Sequence, residues 1–474
     1  MKKFCILLIA MHLAGSPAAQ PCLPEGITFA TQAQIDNFQS SFQNCREIIG
    51  DVTISGSDIF NLLGLNGLIS IGGDLEILEN ASLASLAGLE GLASIGGWLM
   101  ISDNKVLASV EGLENLTSIG KDLQVFWNPA LTSLTGLDKV TSIGWGVHIF
   151  ENNMMTSLTG LEGLTSIEVS LHIGGNTALT SLAGLNNLTS IGGHVGITDN
   201  WALTSLAALE GLTSIEGWFS ISGNLVLTSL AGLENISSIG DFLYIHNNPA
   251  LTSLTGLQNL HSIGDYLYIH HNPALTGLTG LENLVSIGDD LWIVYNTALT
   301  SLAGLTNLTS IRGDLEIIGN AALTSLAGLE NVDANTITKL FIYDNAILSA
   351  CEVKCICDYF AVPYSIIYFQ DNATGCNSFE QVKAGCKIGY EDFATTENHF
   401  SICPNPASTT ITIELPVPAP RFQISIFNLS GQPVITNHLT DRKTVIDVAG
   451  LSQGVYFVRV VSDDGVMVGK FVKE

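Results

Sequence analysis

The sequence is short of charge, and most of the charge it has is of one sign. Only 13% of its 474 residues are charged, and 44 acidic residues outnumber 17 basic ones, for a formal net charge of −27. Because nucleic-acid binding needs a basic surface that neutralises phosphates, this balance excludes a nucleic-acid partner. A disordered chain is also excluded, since 46% of the residues are hydrophobic.

Long apolar runs and catalytic motifs are missing as well. Beyond residue 15 the sequence has no run of about 18 apolar residues, so we expect no transmembrane segment. The motifs H-E-x-x-H, G-x-S-x-G, G-x-x-x-x-G-K-[ST] and G-x-G-x-x-G do not occur. The sequence therefore predicts a protein that is not an enzyme, with no catalytic residues and no cofactor.

The chain begins with features of an export signal. Two lysines precede an apolar run over residues 4–14, and small residues follow up to Ala19. This order is typical of a secretory signal peptide, which we assign to residues 1–19. Of the nine cysteines, Cys5 alone lies within this segment. In an exported protein the remaining cysteines are expected to form disulfides.

A repeat of 24 residues dominates the next part of the chain. The dipeptide Ser-Ile recurs at this spacing from Ile71 to Ile311, and an asparagine recurs in step with it from Asn80 to Asn320. Alternation such as Leu75-x-Ile77 predicts a short strand with one buried face. Copies this short and this regular predict one solenoid turn each. We therefore predict a mostly β fold with a parallel, leucine-rich β-solenoid over residues 61–345.

The repeat resembles that of leucine-rich solenoids, and specifically that of the receptor L domain. The matching features are the strand motif L-x-I-x-x-N and the segment 44–54. This resemblance implies a right-handed solenoid and a disulfide between Cys22 and Cys45. It is a weak guide to function, because the family mixes receptors with bacterial surface proteins.

Both ends of a solenoid need caps, since exposed strand edges promote aggregation. In the N-terminal cap, residues 20–60, the apolar positions Ile35, Phe38 and Phe42 share one helical face. In the C-terminal cap, residues 346–390, Ser378 begins a capping box. Five cysteines lie in this cap, and two disulfides among them leave one thiol over. The disulfide candidates are Cys351, Cys357, Cys376 and Cys386, with the fates of Cys355 and Cys403 left open; a zinc site at Cys351, Cys355 and Cys357 is the alternative.

The repeat ends before residue 350, and after a linker at 391–400 the sequence changes character. Short β-rich runs separated by turn residues predict a small Ig-like β-sandwich over 401–474. These runs are 409–415, 422–428, 444–448, 455–461 and 466–472.

This segment resembles the C-terminal sorting domain of type IX secretion cargo. The residues that match the motifs are Pro404, Asn405, Pro406, Gly431, Gly454, Tyr456, Lys470 and Lys473. The resemblance implies export across the inner membrane, handling by the type IX secretion machinery, and a secreted or outer-surface location. An ordinary Ig-like binding module is the alternative.

One side of the solenoid differs from the rest. All aromatic residues between Ile71 and Asn320 fall in the positions that span the predicted strand and its exit. Since Leu75 and Ile77 point inward, the residues beside them point outward. Exposed aromatic patches mark binding sites, so we predict adhesion to a carbohydrate or protein. The candidate ligand-binding residues are Trp218, Phe242, Tyr244, His246, Tyr266, Tyr268, His270, His271, Trp292 and Tyr295.

Two alternatives accompany this prediction. An aromatic ladder also stabilises a sheet, so the protein could be a structural surface or matrix component without a specific ligand. The histidines His246, His270 and His271 lie close together, but no carboxylates accompany them at fixed spacing, so no metal is assigned.

Two further positions of the repeat carry similar residues along the chain, and stacking of the copies would align each of them in a column. We expect the asparagines to bond turn backbone and their neighbours above and below. A second column is mostly acidic, from Glu90 to Glu330, and we expect it to form a solvated edge.

Overall fold

A computed structural model describes residues 20–386, 400–415, 422–429, 431–439, 441–462 and 465–474. They belong to two compact units, of which the first ends at Cys386 and the second begins at Lys387. The predicted signal peptide lies outside the described residues, and so does the predicted linker apart from Phe400.

The first unit is a parallel β-solenoid with 24-residue turns, as the repeat predicts. Each turn adds one strand to a parallel sheet of 15 strands in chain order. Equivalent residues of successive copies stand side by side, so that Tyr244 pairs with Tyr268 and then with Trp292. The strands are Ile27–Phe29, Val52–Ile54, Leu75–Leu78, Leu99–Ser102, Leu123–Phe126, Gly146–Phe150, Ser170–Gly174, His194–Thr198, Phe219–Ser222, Leu243–His246, Leu267–His270, Leu291–Val294, Leu315–Ile318, Lys339–Tyr343 and Ile366–Gln370.

A second, narrower side of the solenoid is built from the Ser-Ile dipeptides and, at its N-terminal end, from two strands of the cap. They pair in parallel in sheets of six, two and five strands. These strands are Gln20–Cys22, Cys45–Ile48, Ser70–Ile71, Ser94–Ile95, Ser118–Ile119, Ser142–Ile143, Ser166–Ile167, Ser190–Ile191, Ser214–Ile215, Ser238–Ile239, Ser262–Ile263, Ser286–Ile287 and Ser310–Ile311. Short 3-10 turns lie at Leu63–Leu65, Ala207–Leu209, Ala303–Leu305 and Ala334–Thr336.

The core is a continuous column of aliphatic side chains. In the strands from Leu75–Leu78 to Lys339–Tyr343, the two alternate apolar residues, such as Leu243 and Ile245, have no exposed surface. The leucines at three-residue spacing on the turn side, such as Leu251 and Leu254, are buried as completely. No single copy could bury this ring alone, so stacking of neighbours supplies the stability.

The asparagine column forms a buried hydrogen-bonded ladder. In Asn224 the side-chain Nδ2 donates to the carbonyl oxygens of Ile197 at 2.9 Å and Ser222 at 3.1 Å. Its Oδ1 accepts from the backbone N–H of Asn200 at 3.2 Å. The ladder continues beyond the predicted repeat and ends at Asn372. The expected role of these asparagines is therefore confirmed.

The acidic column closes the corners of the solenoid. The backbone N–H of Gly88 donates to the carboxylate of Glu90 at 2.9 Å, and the same bond recurs along the column. Gly88 has φ +115°, and a Cβ there would lie 2.1 Å from the Leu62 carbonyl oxygen, so the corner requires glycine. Glu90 is also exposed, as a solvated edge requires.

Helices close both ends of the solenoid. The N-terminal cap has two short helices, Gln32–Asp36 and Phe38–Ser41, where one was predicted, and they bury Ile35 and Phe38 against the core. In the C-terminal cap the predicted helix is Phe379–Gly385. A further helix, Lys354–Tyr359, was not predicted.

Three disulfides hold the caps. They are Cys22–Cys45, Cys351–Cys376 and Cys357–Cys386. Since Cys351 and Cys357 are oxidised, the zinc alternative at the C-terminal cap is wrong. Cys355 is a buried free thiol, and burial raises its pKa to about 12, while Cys403 is free and exposed.

The second unit is a small antiparallel β-sandwich. Its first sheet comprises Ser401–Cys403, Thr410–Glu414 and Lys443–Asp447. Its second sheet comprises, in spatial order, Pro433–Leu439, Phe422–Phe427, Gly454–Ser462 and Gly465–Lys473. Ile411, Ile424 and Val458 pack in one core with Phe471. The strand Pro433–Leu439 was not predicted; it lies at an edge of its sheet and begins with a proline.

Candidate functional site

The candidate site is the outer surface of the 15-stranded sheet. We call this surface the strand face and define it as the outward side chains of those strands together with the residues just before and after each strand. Because neighbouring strands lie about 4.8 Å apart, equivalent side chains form columns along it.

The first column consists of rings that precede the strands. Phe242 stacks on Trp218 with ring centroids 5.7 Å apart and on Tyr266 at 4.6 Å, and both pairs are within 4° of parallel. Trp218 also stacks on His172 at 5.2 Å and on His194 at 5.0 Å. Neighbouring rings therefore cover both faces of Phe242.

The second column lies at the middle of the strands. Tyr244 and Tyr268 are tilted against each other at 5.0 Å, and Tyr268 meets Trp292 edge to face at 5.1 Å. All three rings are half-buried and lie outside the core, as predicted from the alternation. Burial raises the pKa of both tyrosines, so their hydroxyl groups stay protonated at neutral pH and can donate hydrogen bonds.

The third column lies at the ends of the strands. His246 and His270 stack at 4.9 Å, and His271 lies across His270 at 3.8 Å between ring centroids. Tyr295 follows in the next turn and contacts His271 at 5.1 Å. The structure thus brings all ten sequence-predicted residues together on one surface.

From the strand Leu75–Leu78 onwards, the residue after each strand adopts the left-handed backbone conformation. Many turns place glycine, asparagine or aspartate there, as at Gly223 and Asn247, which suits this conformation. Trp127, His271 and Tyr295 occupy the same position with φ between 53° and 54°. Bulky residues in this conformation cost about 1–2 kcal/mol each. Strain of this kind is characteristic of functional sites.

The strand face also carries buried polar atoms without partners. Within the described part of the chain, the buried side-chain nitrogens that lack a hydrogen bond all lie on this face. They are Trp98 Nε1, His172 Nε2, His246 Nδ1, His270 Nδ1 and Trp292 Nε1. Buried polar groups are normally satisfied, so this concentration needs an explanation.

Sequence analysis missed the C-terminal end of the strand face. A cleft of about 440 Å³ there is lined by Glu316, Phe341, Tyr343 and Tyr368. Burial raises the pKa of the Glu316 carboxyl group. Phe341 and Tyr343 flank the inward-pointing Ile342, so the alternation itself signalled them. This copy has one extra residue, so its positions are out of step with the 24-residue repeat. Comparing equivalent positions of the copies therefore did not reveal Phe341 and Tyr343.

The N-terminal half of the strand face has a smaller aromatic group. The Lys121 ammonium group lies 4.7 Å from the centroid of the Trp98 ring and 5.9 Å from that of Trp145, a cation–π arrangement. Phe126 packs against Phe150 at 5.8 Å.

In the second unit two of the predicted sorting motifs, the segment 404–406 and the last strand, contact each other. Asn405 Nδ2 donates to the carbonyl oxygen of Lys470 at 3.1 Å, and its Oδ1 accepts from the Val472 N–H at 2.9 Å. Tyr456 stacks on Phe471 at 5.6 Å. The segment around Pro404 and Pro406 is thereby tied to the last strand, which ends in Lys473. Gly431 lies in a turn with φ 74° and Gly454 begins a strand.

The second unit is similar to a known family. Residues 401–474 match the family model described as "Secretion system C-terminal sorting domain". The tail indicates export through type IX secretion to the cell surface or outside the cell. Among curated proteins none matches the chain. Of the described helices, none has the length and apolar character that a membrane span requires.

Proposed function

We propose that this exported protein is a non-enzymatic adhesion protein whose strand face binds carbohydrate. The observation that carries the proposal is that this face concentrates features that cost stability. Bulky rings occupy left-handed backbone positions, and buried nitrogens lack partners. A purely structural surface gains nothing from either feature.

The kinds of side chain present favour a hydroxyl-rich ligand. Tyrosine hydroxyl groups, histidine nitrogens and tryptophan N–H groups can all hydrogen bond with hydroxyl groups. At the cleft, the Glu316 carboxylate lies among the rings of Phe341, Tyr343 and Tyr368. Flat rings beside an acceptor carboxylate suit a sugar ring, and the cleft has the size of ordinary small-molecule sites.

The competing function is that of a structural surface or matrix component. Ring-to-ring contacts along the columns favour it, because such pairs contribute about 0.5–1.5 kcal/mol each. The two functions differ in what happens when the rings are removed. A binding face loses a ligand, whereas a structural face loses only stability.

A glycan array with the purified protein tests the proposal. The test variant combines Tyr244→Ala, Tyr268→Ala and Trp292→Ala, and the control is Trp201→Ala, an exposed ring outside the aromatic columns. Loss of buried aromatic anchors costs about 2 kcal/mol or more in binding. We therefore expect the triple variant to bind its glycan at least about tenfold more weakly, and the control to bind like the parent.

Circular dichroism of both variants shows whether they remain folded. If the parent binds no glycan, or if the folded triple variant binds as well as the parent, the carbohydrate proposal fails and the structural alternative gains support. A signal that survives in the triple variant but is lost in Trp201→Ala would place binding elsewhere.

A further inference from the structure

Three histidines of the strand face form a compact group of nitrogen ligands. His246 and His270 stand at equivalent positions on adjacent strands, and His271 follows His270. One ring nitrogen from each histidine can be chosen so that all three lie within 4.8 Å of one another. Two nitrogens bound to one Zn²⁺ are at most about 4.2 Å apart, so small side-chain rotations close the group around an ion.

The hydrogen bonding of these rings leaves ligand atoms free. Among the described residues, Nδ1 of His246 and Nδ1 of His270 are buried and accept or donate no hydrogen bond. Buried ring nitrogens without partners are rare, because an unsatisfied polar atom costs about 1–3 kcal/mol. A metal ion coordinated through these two atoms would satisfy both.

The backbone provides a second, independent indication. His271 has φ 54°, in the left-handed region, whereas the preceding turn has Asn247 at the same position. Asparagine adopts this conformation readily and histidine does so at a cost. This backbone conformation places the exposed imidazole of His271 against that of His270, with 3.8 Å between the ring centroids.

We propose that His246, His270 and His271 form a binding site for one divalent transition-metal ion of the Zn²⁺ type. Three imidazole ligands are a known zinc ligand set, with the fourth position left to water or a bound molecule. The same ligands suit Cu²⁺ and Ni²⁺, so the site is defined by its imidazoles rather than by one metal. The excess of acidic residues, 44 against 17 basic, favours the approach of a cation.

Calorimetric titration of the full chain with ZnCl₂ tests this site without any glycan, so its outcome is independent of the carbohydrate proposal. We expect one tight site in the parent. His270→Ala should weaken it by more than the 10–100-fold typical of losing an outer-shell partner. His271→Asn should weaken it as well, and it keeps the fold because asparagine suits the backbone there.

The control is His261→Ala, a histidine outside the strand face whose ring contacts the Asn259 carbonyl oxygen. It should bind Zn²⁺ like the parent. A parent that binds no Zn²⁺, or a folded His271→Asn protein that binds as tightly as the parent, overturns the proposal. Equal losses in His261→Ala and His271→Asn would also overturn it, since binding would then be nonspecific.

Discussion

The turn side of the solenoid and its strand face follow different rules. On the turn side the asparagines, leucines and acidic residues recur with little change, and hydrogen bonds or burial account for each column. On the strand face the residue type changes from turn to turn, rings occupy strained positions and buried nitrogens lack partners. Stability is therefore concentrated in the repeated columns of the turn side, which leaves the residues of the strand face free to vary for binding.

The largest expected effect comes from breaking the asparagine ladder. Asn224→Ala removes the acceptor of the buried Asn200 N–H and one hydrogen bond each to the carbonyl groups of Ile197 and Ser222, although Ser222 keeps the bond from the Asp199 N–H at 2.8 Å. The buried Asn200 N–H left unsatisfied costs about 1–3 kcal/mol and each other hydrogen bond lost costs about 1 kcal/mol, so the variant should lose roughly 3 kcal/mol. Urea denaturation followed by circular dichroism measures this loss.

The matched control is Asn235→Ala. Its side chain also donates to a backbone carbonyl of the preceding turn, that of Glu210 at 2.9 Å, but it is exposed. Water replaces this bond, so the loss should be about 1 kcal/mol or less. Equal losses in the two variants would show that burial of the ladder contributes nothing.

The corner glycines should give the next largest effect. Gly256 has φ +121°, and a Cβ there would lie 1.9 Å from the Leu230 carbonyl oxygen. Gly256→Ala should therefore lower the free energy of unfolding by about 2 kcal/mol, from backbone strain and this close contact. At Gly277, where a Cβ meets nothing within 4 Å and the next turn has Ser301, Gly277→Ser should be tolerated. Thermal denaturation of Gly256→Ala and Gly277→Ser tests this prediction, and equal melting temperatures of the two variants would contradict it.

A smaller effect is expected from pH on the strand face. Burial, and then His148 and His194, lower the pKa of His172 from 6.5 to about 4. Between these values the unfolded chain binds more protons than the folded one, so this group makes stability fall as the pH drops from 6.5 to 4. Because the ring is only half-buried, solvent screening limits the effect to about 1 kcal/mol.

The variant His172→Phe tests whether His172 causes this pH dependence. Phenylalanine keeps a ring against Trp218 and has no proton to bind. The melting temperature of the variant should therefore fall less than that of the parent between pH 7 and pH 4.5. An identical decline in both proteins would mean that His172 contributes nothing to the pH dependence.

Regular spacing made much of the fold predictable. The 24-residue step determined the strand positions and the inward leucines, and the resemblance of segment 44–54 supplied the Cys22–Cys45 pair. The cap pairs Cys351–Cys376 and Cys357–Cys386 could not be predicted, because pairing depends on where an irregular chain brings its cysteines together.

Within the candidate site, the alternation of residues predicted which surface carries the rings but not how the rings contact one another. Stacking of Phe242 on Tyr266 and the free nitrogens of the histidines depend on side-chain rotation, which no spacing encodes. The left-handed backbone at Tyr295 was hidden as well, because a bulky residue there gives no turn signal.

The most direct test of the central claim is Tyr295→Asn, with glycan binding and melting temperature measured on the same sample. Tyr295 is 40% exposed and strained, and asparagine is the residue of an equivalent turn. Relief of strain offsets the lost contact with His271, so stability should stay within about 1 kcal/mol of the parent while glycan binding falls at least about tenfold. Asp103→Asn, at the same position far along the strand face, should change neither. A Tyr295→Asn protein that melts well below the parent and still binds glycan fully would contradict the account.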